Sequence, residues 1–196
     1  MEIKMDIKQE LEAYRPWNEQ EARDREVMLF LLDTQPDIFS RENRIAHFTA
    51  SCWLLNEMHD KVLMAYHKIY RSWSWLGGHA DGERNLRLAA RREALEESGA
   101  AEVRELGNGI FSVELLTVDG HEKNESYVFS HLHLNVTYLM ETAESELPGN
   151  AAENGGVKWF TPKEAVAAST EPWMAERIYK KLNEKMNALR ERGELA

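Results

Sequence analysis

The stretch "GGHADGERNLRLAARREALEESGA", residues 77 to 100, decides how this chain is read. A glycine pair leads into a helix expected from about Asn85 to Ser98, closed by Gly99 as a left-handed C-terminal cap. Each helical residue turns by about 100°. Glu93, Glu96 and Glu97 therefore fall within one arc of about 100° on that helix. Like charges at i and i+4 repel by a few tenths of a kcal/mol, so such a cluster is either a wet surface or a site. Ala89 and Ala90 share its side one turn earlier, which leaves the carboxylates facing open space, while Leu88 and Leu95 point toward a core. Three carboxylates together form an oxygen-rich site for a hard cation such as Mg²⁺. Gly78, lacking a side chain, allows its backbone carbonyl to approach a metal or a phosphate.

Around this helix the hydrophobic period changes twice. Before residue 45 it is helical: "IKQELEAY" stops near Pro16, and Asn18 caps a second helix that carries Val27 to Leu32 and ends before Pro36. From residue 45 the period is two. In "IAHFTASCWLLN", Ala46, Phe48, Ala50, Cys52 and Leu54 share one face and His47, Thr49 and Ser51 the other. "KVLMAYH" (61–67), "WSWL" (73–76), "IFSVELLTV" (110–118), "YVFSHLHLNVTYLM" (127–140) and "GVKWF" (156–160) read as further strands. "TPKE" at 161–164 is a capping box, and a last helix from about Pro172 carries the stripe Met174, Ile178, Leu182, Met186 and Leu189. The expected class is α+β, an α/β/α sandwich around a mixed sheet. Residues 1–44 form a helical N-terminal extension and residues 45–196 the main domain.

Composition narrows the function. With 34 acidic against 24 basic residues the formal net charge of the 196-residue chain is −10, which argues against nucleic-acid or anionic-membrane partners. The single cysteine, Cys52, allows no internal disulfide. The N-terminal stretch lacks an apolar signal core, and the longest apolar run, "VMLFLL", is too short to span a bilayer. The expected location is cytoplasmic; so acidic a chain can still act on a small phosphorylated molecule if a metal ion supplies the positive charge, and a homodimer is left open.

The pattern across residues 78–100 resembles the Nudix box, G-x5-E-x7-R-E-U-x-E-E-x-G-U with U aliphatic, in the branch whose boxes open with GGHADG. Gly78, Arg92, Glu93, Ala94, Glu96, Glu97, Gly99 and Ala100 match in register, and the resemblance extends over roughly residues 45 to 170. One position departs: the acid expected at 84 is Arg84, and Glu83 lies one place earlier. The resemblance implies a Nudix-type sandwich and a hydrolase that cleaves a nucleoside diphosphate linked to another moiety. It further implies that Glu93, Glu96, Glu97 and the Gly78 carbonyl hold Mg²⁺ or Mn²⁺, that Arg92 orients the carboxylates, and that Glu83 substitutes in supporting Arg92. Glu93 can act as base. A further acid from a loop is usual in the family, and Glu153 in the flexible segment "PGNAAENGG" is the candidate. His79, Trp75, His131 and His133 are candidate substrate contacts, with Trp73 and Tyr70 as further aromatic surfaces for a base or ring.

Two rival readings remain. Isopentenyl-diphosphate isomerases share the fold but carry a Cys directly before the Gly-His of this loop, where this chain has Gly77. A non-catalytic nucleotide-sensing module would have no need of the intact carboxylates. Leu115, Leu116 and Thr117 occupy the region where some branches carry a Pro or Tyr linked to ADP-ribose or dinucleoside-polyphosphate substrates.

Overall fold

The computed structural model describes residues 6–123 and 126–195; the part of the expected N-terminal helical segment at residues 1–5 lies outside them. Two helices, α1 (Ile7–Ala13) and α2 (Glu19–Thr34), precede the first strand. Both start on side-chain caps. Asp6 and Gln9 form a reciprocal capping box on α1, and Asn18 accepts from the Glu21 N–H at 3.0 Å on α2.

The strands follow as β1 (Ala46–Asn56), β2 (Val62–His67), β3 (Ser72–Ser74), β4 (Leu76–His79), then helix α3 (Leu86–Ser98). Next come β5 (Arg104–Glu105), β6 (Ser112–Val118), β7 (His121–Lys123), β8 (Ser126–Val128), β9 (His131–Thr142) and β10 (Val157–Phe160). The chain ends in α4 (Pro162–Ala168), a π-helical segment Met174–Tyr179, and α5 (Lys180–Glu191). Among the described residues, eight strands pair in one sheet in the order β10-β2-β1-β9-β5, with β3 on β2, β4 on β1 and β6 on β9; β7 and β8 form a separate hairpin. The class is α+β, as the sequence pattern indicates.

The chain divides into two compact units. One comprises Met1–Ala50, Gly78–Ala89 and Gly109–Thr137, the other Ser51–Gly77, Ala90–Asn108 and Tyr138–Ala196. Within the first, α2 lies on β6. Gln20 and Asp24 of α2 bond the backbone of Val113 and Leu115 at 3.3 and 2.9 Å. Within the second, β2 carries β10 and β3 on its two sides, and α4 packs on β2, β3 and β10. Its centre is Trp53, fully buried, with its ring stacked on Tyr179 and its indole N–H on the Met186 sulfur at 3.0 Å.

Four sequence expectations differ in detail. The run 127–140 is not one strand. Residues 126–128 turn back onto 121–123, and the Ser130 hydroxyl accepts from the Gly120 N–H at 2.9 Å, so β9 begins at His131. The run 73–76 is split at Trp75 between β3 and β4. In β1 both faces are inside: His47, Thr49 and Ser51 are buried along with the apolar positions, and Thr49 Oγ1 finds Asn135 Oδ1 at 3.1 Å. On α3 the inward face is not Leu88 and Leu95. Leu88 is 44% exposed, while Leu86, Ala89, Ala90 and Ala94 are buried. Small side chains let a helix sit close to its neighbours, so the alanines take the inward positions.

Candidate functional site

Because Ala89, Ala90 and Ala94 face inward, Glu93 and Glu97 continue that face and are half-buried, while Glu96 is exposed. The expectation of an open surface over the alanines is thus corrected: the carboxylates sit at the edge of packed structure. The Glu97 carboxylate accepts from the Gly77 N–H at 2.8 Å. Burial, first, and then the charges of Glu93, Glu153 and Glu96 push its carboxyl up to about 8, against the opposing pull of the Gly77 hydrogen bond. Burial also raises Glu93, opposed by the Arg92 guanidinium, which donates to Glu93 Oε1 at 2.7 Å. Arg92 and Glu93, adjacent on α3, thus form a charge-assisted pair.

Glu153 comes from far along the chain, and its charge is nonetheless felt at both Glu93 and Glu97. The cause is a clip that the sequence reading missed. Asn154, 3% exposed, donates through Nδ2 to the Glu97 carbonyl at 3.0 Å and accepts through Oδ1 from the Gly156 N–H at 3.0 Å. The Gly149 N–H donates to the Ser98 carbonyl at 3.0 Å. Loop 149–156 thus satisfies carbonyls at the end of α3 that would otherwise lack partners, and it is tied down where a freely closing loop was expected. Gly99 completes the arrangement: its φ is +73°, and a Cβ there would stand 2.6 Å from Pro148 Cγ. The only signal in the sequence was an Asn inside a Gly-rich loop.

In the other unit, Gly78 and His79 end β4. Glu83 accepts from the Asn85 N–H at 2.8 Å, just before α3. Arg41 grips Asp81 with two bonds of 2.7 and 2.5 Å, and the Ala80 and Gly82 N–H groups bond the carbonyls of Phe48 and Phe39. His79 from β4, His131 and His133 from β9, and His47 from β1 come together, with ring centroids 4.9–5.2 Å apart in five of their six pairs. Burial above all, then the neighbouring imidazoles, holds His133 far below the usual imidazole range; burial also lowers His47. The period of β1 marks His47 only as a polar-face residue, and nothing local in the sequence points to its part in this cluster.

Trp75 is half-buried, with its ring against Tyr179, and its backbone N–H donates to the Tyr179 hydroxyl at 3.3 Å. Trp73 lies edge-on to Tyr66 and Phe160, and Tyr70 is exposed. Cys52 is fully buried and its thiol is pushed well up by that burial. No helix among the described residues is long and apolar enough to cross a membrane.

Residues 46–182 match the family model described as the NUDIX domain. No curated protein matches the chain. Among solved structures, a NUDIX-family hydrolase from Clostridium perfringens is 23% identical, covering 75% of this chain and 99% of that one, with a TM-score of 0.52. The E. coli dihydroneopterin triphosphate pyrophosphohydrolase is 14% identical over 68% of this chain and 92% of its own, also at 0.52. The MutT protein from Methanosarcina mazei Go1 is 13% identical over 73% and 96%, again at 0.52. At these identities the likeness is one of fold.

Proposed function

The chain belongs to the Nudix family, and on that premise we propose that it hydrolyses a nucleoside diphosphate linked to another moiety, with a divalent metal held by the box. The observation that carries this is the crowding of Glu93, Glu97 and Glu153. Each of the first two is raised by burial and by the charges of its neighbours, so negative charge is gathered where burial makes it costly. An all-oxygen donor set of that kind fits a hard dication. The residues that would hold Mg²⁺ or Mn²⁺ are Glu93, Glu96, Glu97 and, from the box pattern, the carbonyl of Gly78. A bound ion of this class neutralises the diphosphate and makes a coordinated water acidic.

The chain's own groups supply the rest. Arg92 fixes the Glu93 carboxylate through its 2.7 Å bond. Glu153 takes the proton of the attacking water; its support is the charge it exerts on Glu93 and Glu97 from a loop anchored by Asn154. Glu93 is the alternative base. Glu83 supports Arg92 in place of the acid missing at position 84. His79, His131, His133 and Trp75 face the phosphorylated substrate. We take residues 1–44 to be an extension attached to a catalytic domain of residues 45–196. The enzyme acts in the cytoplasm on a small molecule, without nucleic acid or membrane, and a homodimer is tested by sedimentation. The deciding assay follows phosphate-containing products with Mg²⁺ across nucleoside di- and triphosphates, nucleotide sugars, dinucleotides and prenyl diphosphates. Metal-dependent cleavage of at least one is expected. Isomerised prenyl diphosphate, or binding without turnover across the panel, would overturn the reading.

A further inference from the structure

Within one unit, residues on three strands bring four imidazoles together with no carboxylate among the donors. The candidate ligand nitrogens of His47, His79 and His133 all lie within 4.8 Å of one another. His131 Nε2 is 3.2 Å from His133 Nε2. We propose that His47, His79 and His133, with His131 as the fourth imidazole, form a binding site for a borderline transition-metal dication of the zinc class, separate in its donor chemistry from the carboxylates of the box.

The case rests first on His47. The residue is 4% exposed, and its Nε2 is buried without any hydrogen-bond partner. Buried polar atoms are seldom left so. Its other nitrogen, Nδ1, lies 3.3 Å from the Asn43 carbonyl. A carbonyl can only accept, so the proton belongs on Nδ1, and the lone pair is left on the orphaned Nε2. That is how imidazole ligands are held for metals: one nitrogen donates outward to a backbone oxygen and the other is free to coordinate. His131 repeats the device, with Nδ1 2.8 Å from the Phe129 carbonyl and Nε2 turned to His133.

Mutual hydrogen bonding among the rings would be the plainer explanation of a histidine cluster. It accounts for His131 with His133 but leaves the His47 nitrogen unused. Tetrahedral coordination at Zn–N distances of about 2.0–2.1 Å separates ligand nitrogens by about 3.3 Å, so nitrogens already within 4.8 Å close on an ion by modest ring rotations. Imidazole nitrogens favour zinc, copper or nickel over magnesium. The nearby guanidinium of Arg41 is paired with Asp81 through two bonds, which reduces its opposition to a cation. The site stands or falls independently of the hydrolase reading.

The test uses the full chain without a histidine tag, stripped by chelator and titrated with Zn²⁺ by calorimetry and with Co²⁺ by visible absorption. One equivalent is expected to bind, with the absorption bands of four-coordinate Co²⁺. His47→Ala and His133→Ala should each weaken binding by at least about 100-fold, since even outer-sphere partners cost 10- to 100-fold. Glu97→Gln should bind Zn²⁺ here as the unchanged protein does. Failure of the unchanged protein to take up either ion, or affinities within threefold in both histidine variants, overturns the proposal. If the variants do not fold, ring-nitrogen NMR of the unchanged protein decides. Shifts of at least three histidines in step with one equivalent of Zn²⁺ support the site, and unshifted rings overturn it.

Discussion

Glu21 and Glu97 are carboxylates drawn largely out of water in different units of the chain, and they are surrounded in opposite ways. Glu21 is fully buried. One of its oxygens takes the Tyr14 O–H at 2.6 Å and the Trp17 N–H at 2.7 Å. The other lies 2.7 Å from the Ser112 hydroxyl, which also reaches Glu114 at 2.5 Å, and Glu114 in turn accepts from Asn135 and Thr137. Burial and the Glu21 charge push the Tyr14 hydroxyl far up, so it stays a donor. Glu97 has the Gly77 N–H and, beyond it, the like charges of Glu93, Glu153 and Glu96. A closed polar network fixes structure, here the seat of α2 on β6. A carboxylate crowd short of donors holds on to a proton when left alone and is relieved by a cation from outside the protein.

That contrast is broken if function resides at Glu21 or rigidity at Glu97. The largest effect is expected for Glu97→Gln, which should lower Mg²⁺-dependent kcat by about 10³-fold while the metal-free protein melts no lower than the parent. Full turnover in this variant ends the assignment of the box. Glu21→Ala should do the reverse. Tyr14, Trp17 and Ser112 lose an acceptor, which costs about 3 kcal/mol or more, read by urea unfolding, with kcat per folded molecule unchanged. Glu153→Gln is expected to lower kcat by at least about 10²-fold with little change in KM. A kcat within twofold of the parent returns the base role to Glu93.

The pH dependence of stability is expected to change as well. Glu97 rises from an ordinary 4.5 to about 8 on folding, so the folded state holds a proton that the unfolded state has released. Its stabilising contribution is full below about 4.5, declines through the interval and is gone above about 8. Melting of the chelated protein should therefore drop across that window by more than in Glu97→Gln. Equal slopes would mean that Glu97 is not strained by its neighbours.

The comparison also marks what the sequence makes legible. The box helix, its cap at Gly99 and the starts of α2 and α4 are set by contacts within a few residues, and spacing along the chain reveals such contacts. Asn154 reaches Glu97 across 57 positions, and His47 meets His133 from another strand. Neither pairing leaves a local period. The inward face of α3 is hidden from the sequence for a related reason. Leucine outranks alanine in hydrophobicity, yet close approach selects the smaller residue, and only the packed neighbours show how close that approach is.

The π-helical segment Met174–Tyr179 has a consequence for how this chain tolerates changes in length. Its bond from the Lys180 N–H reaches back to the Ala175 carbonyl, one residue further than an α-helix allows. That extra residue lets Ile178 and Tyr179 both turn inward, where Tyr179 meets Trp53 and Trp75. A single-codon deletion at exposed Glu176 should be absorbed by relaxing the turn to α, with Leu182 and Met186 still buried. The same deletion inside Lys180–Glu191 has no slack to draw on and rotates everything beyond it by about 100°.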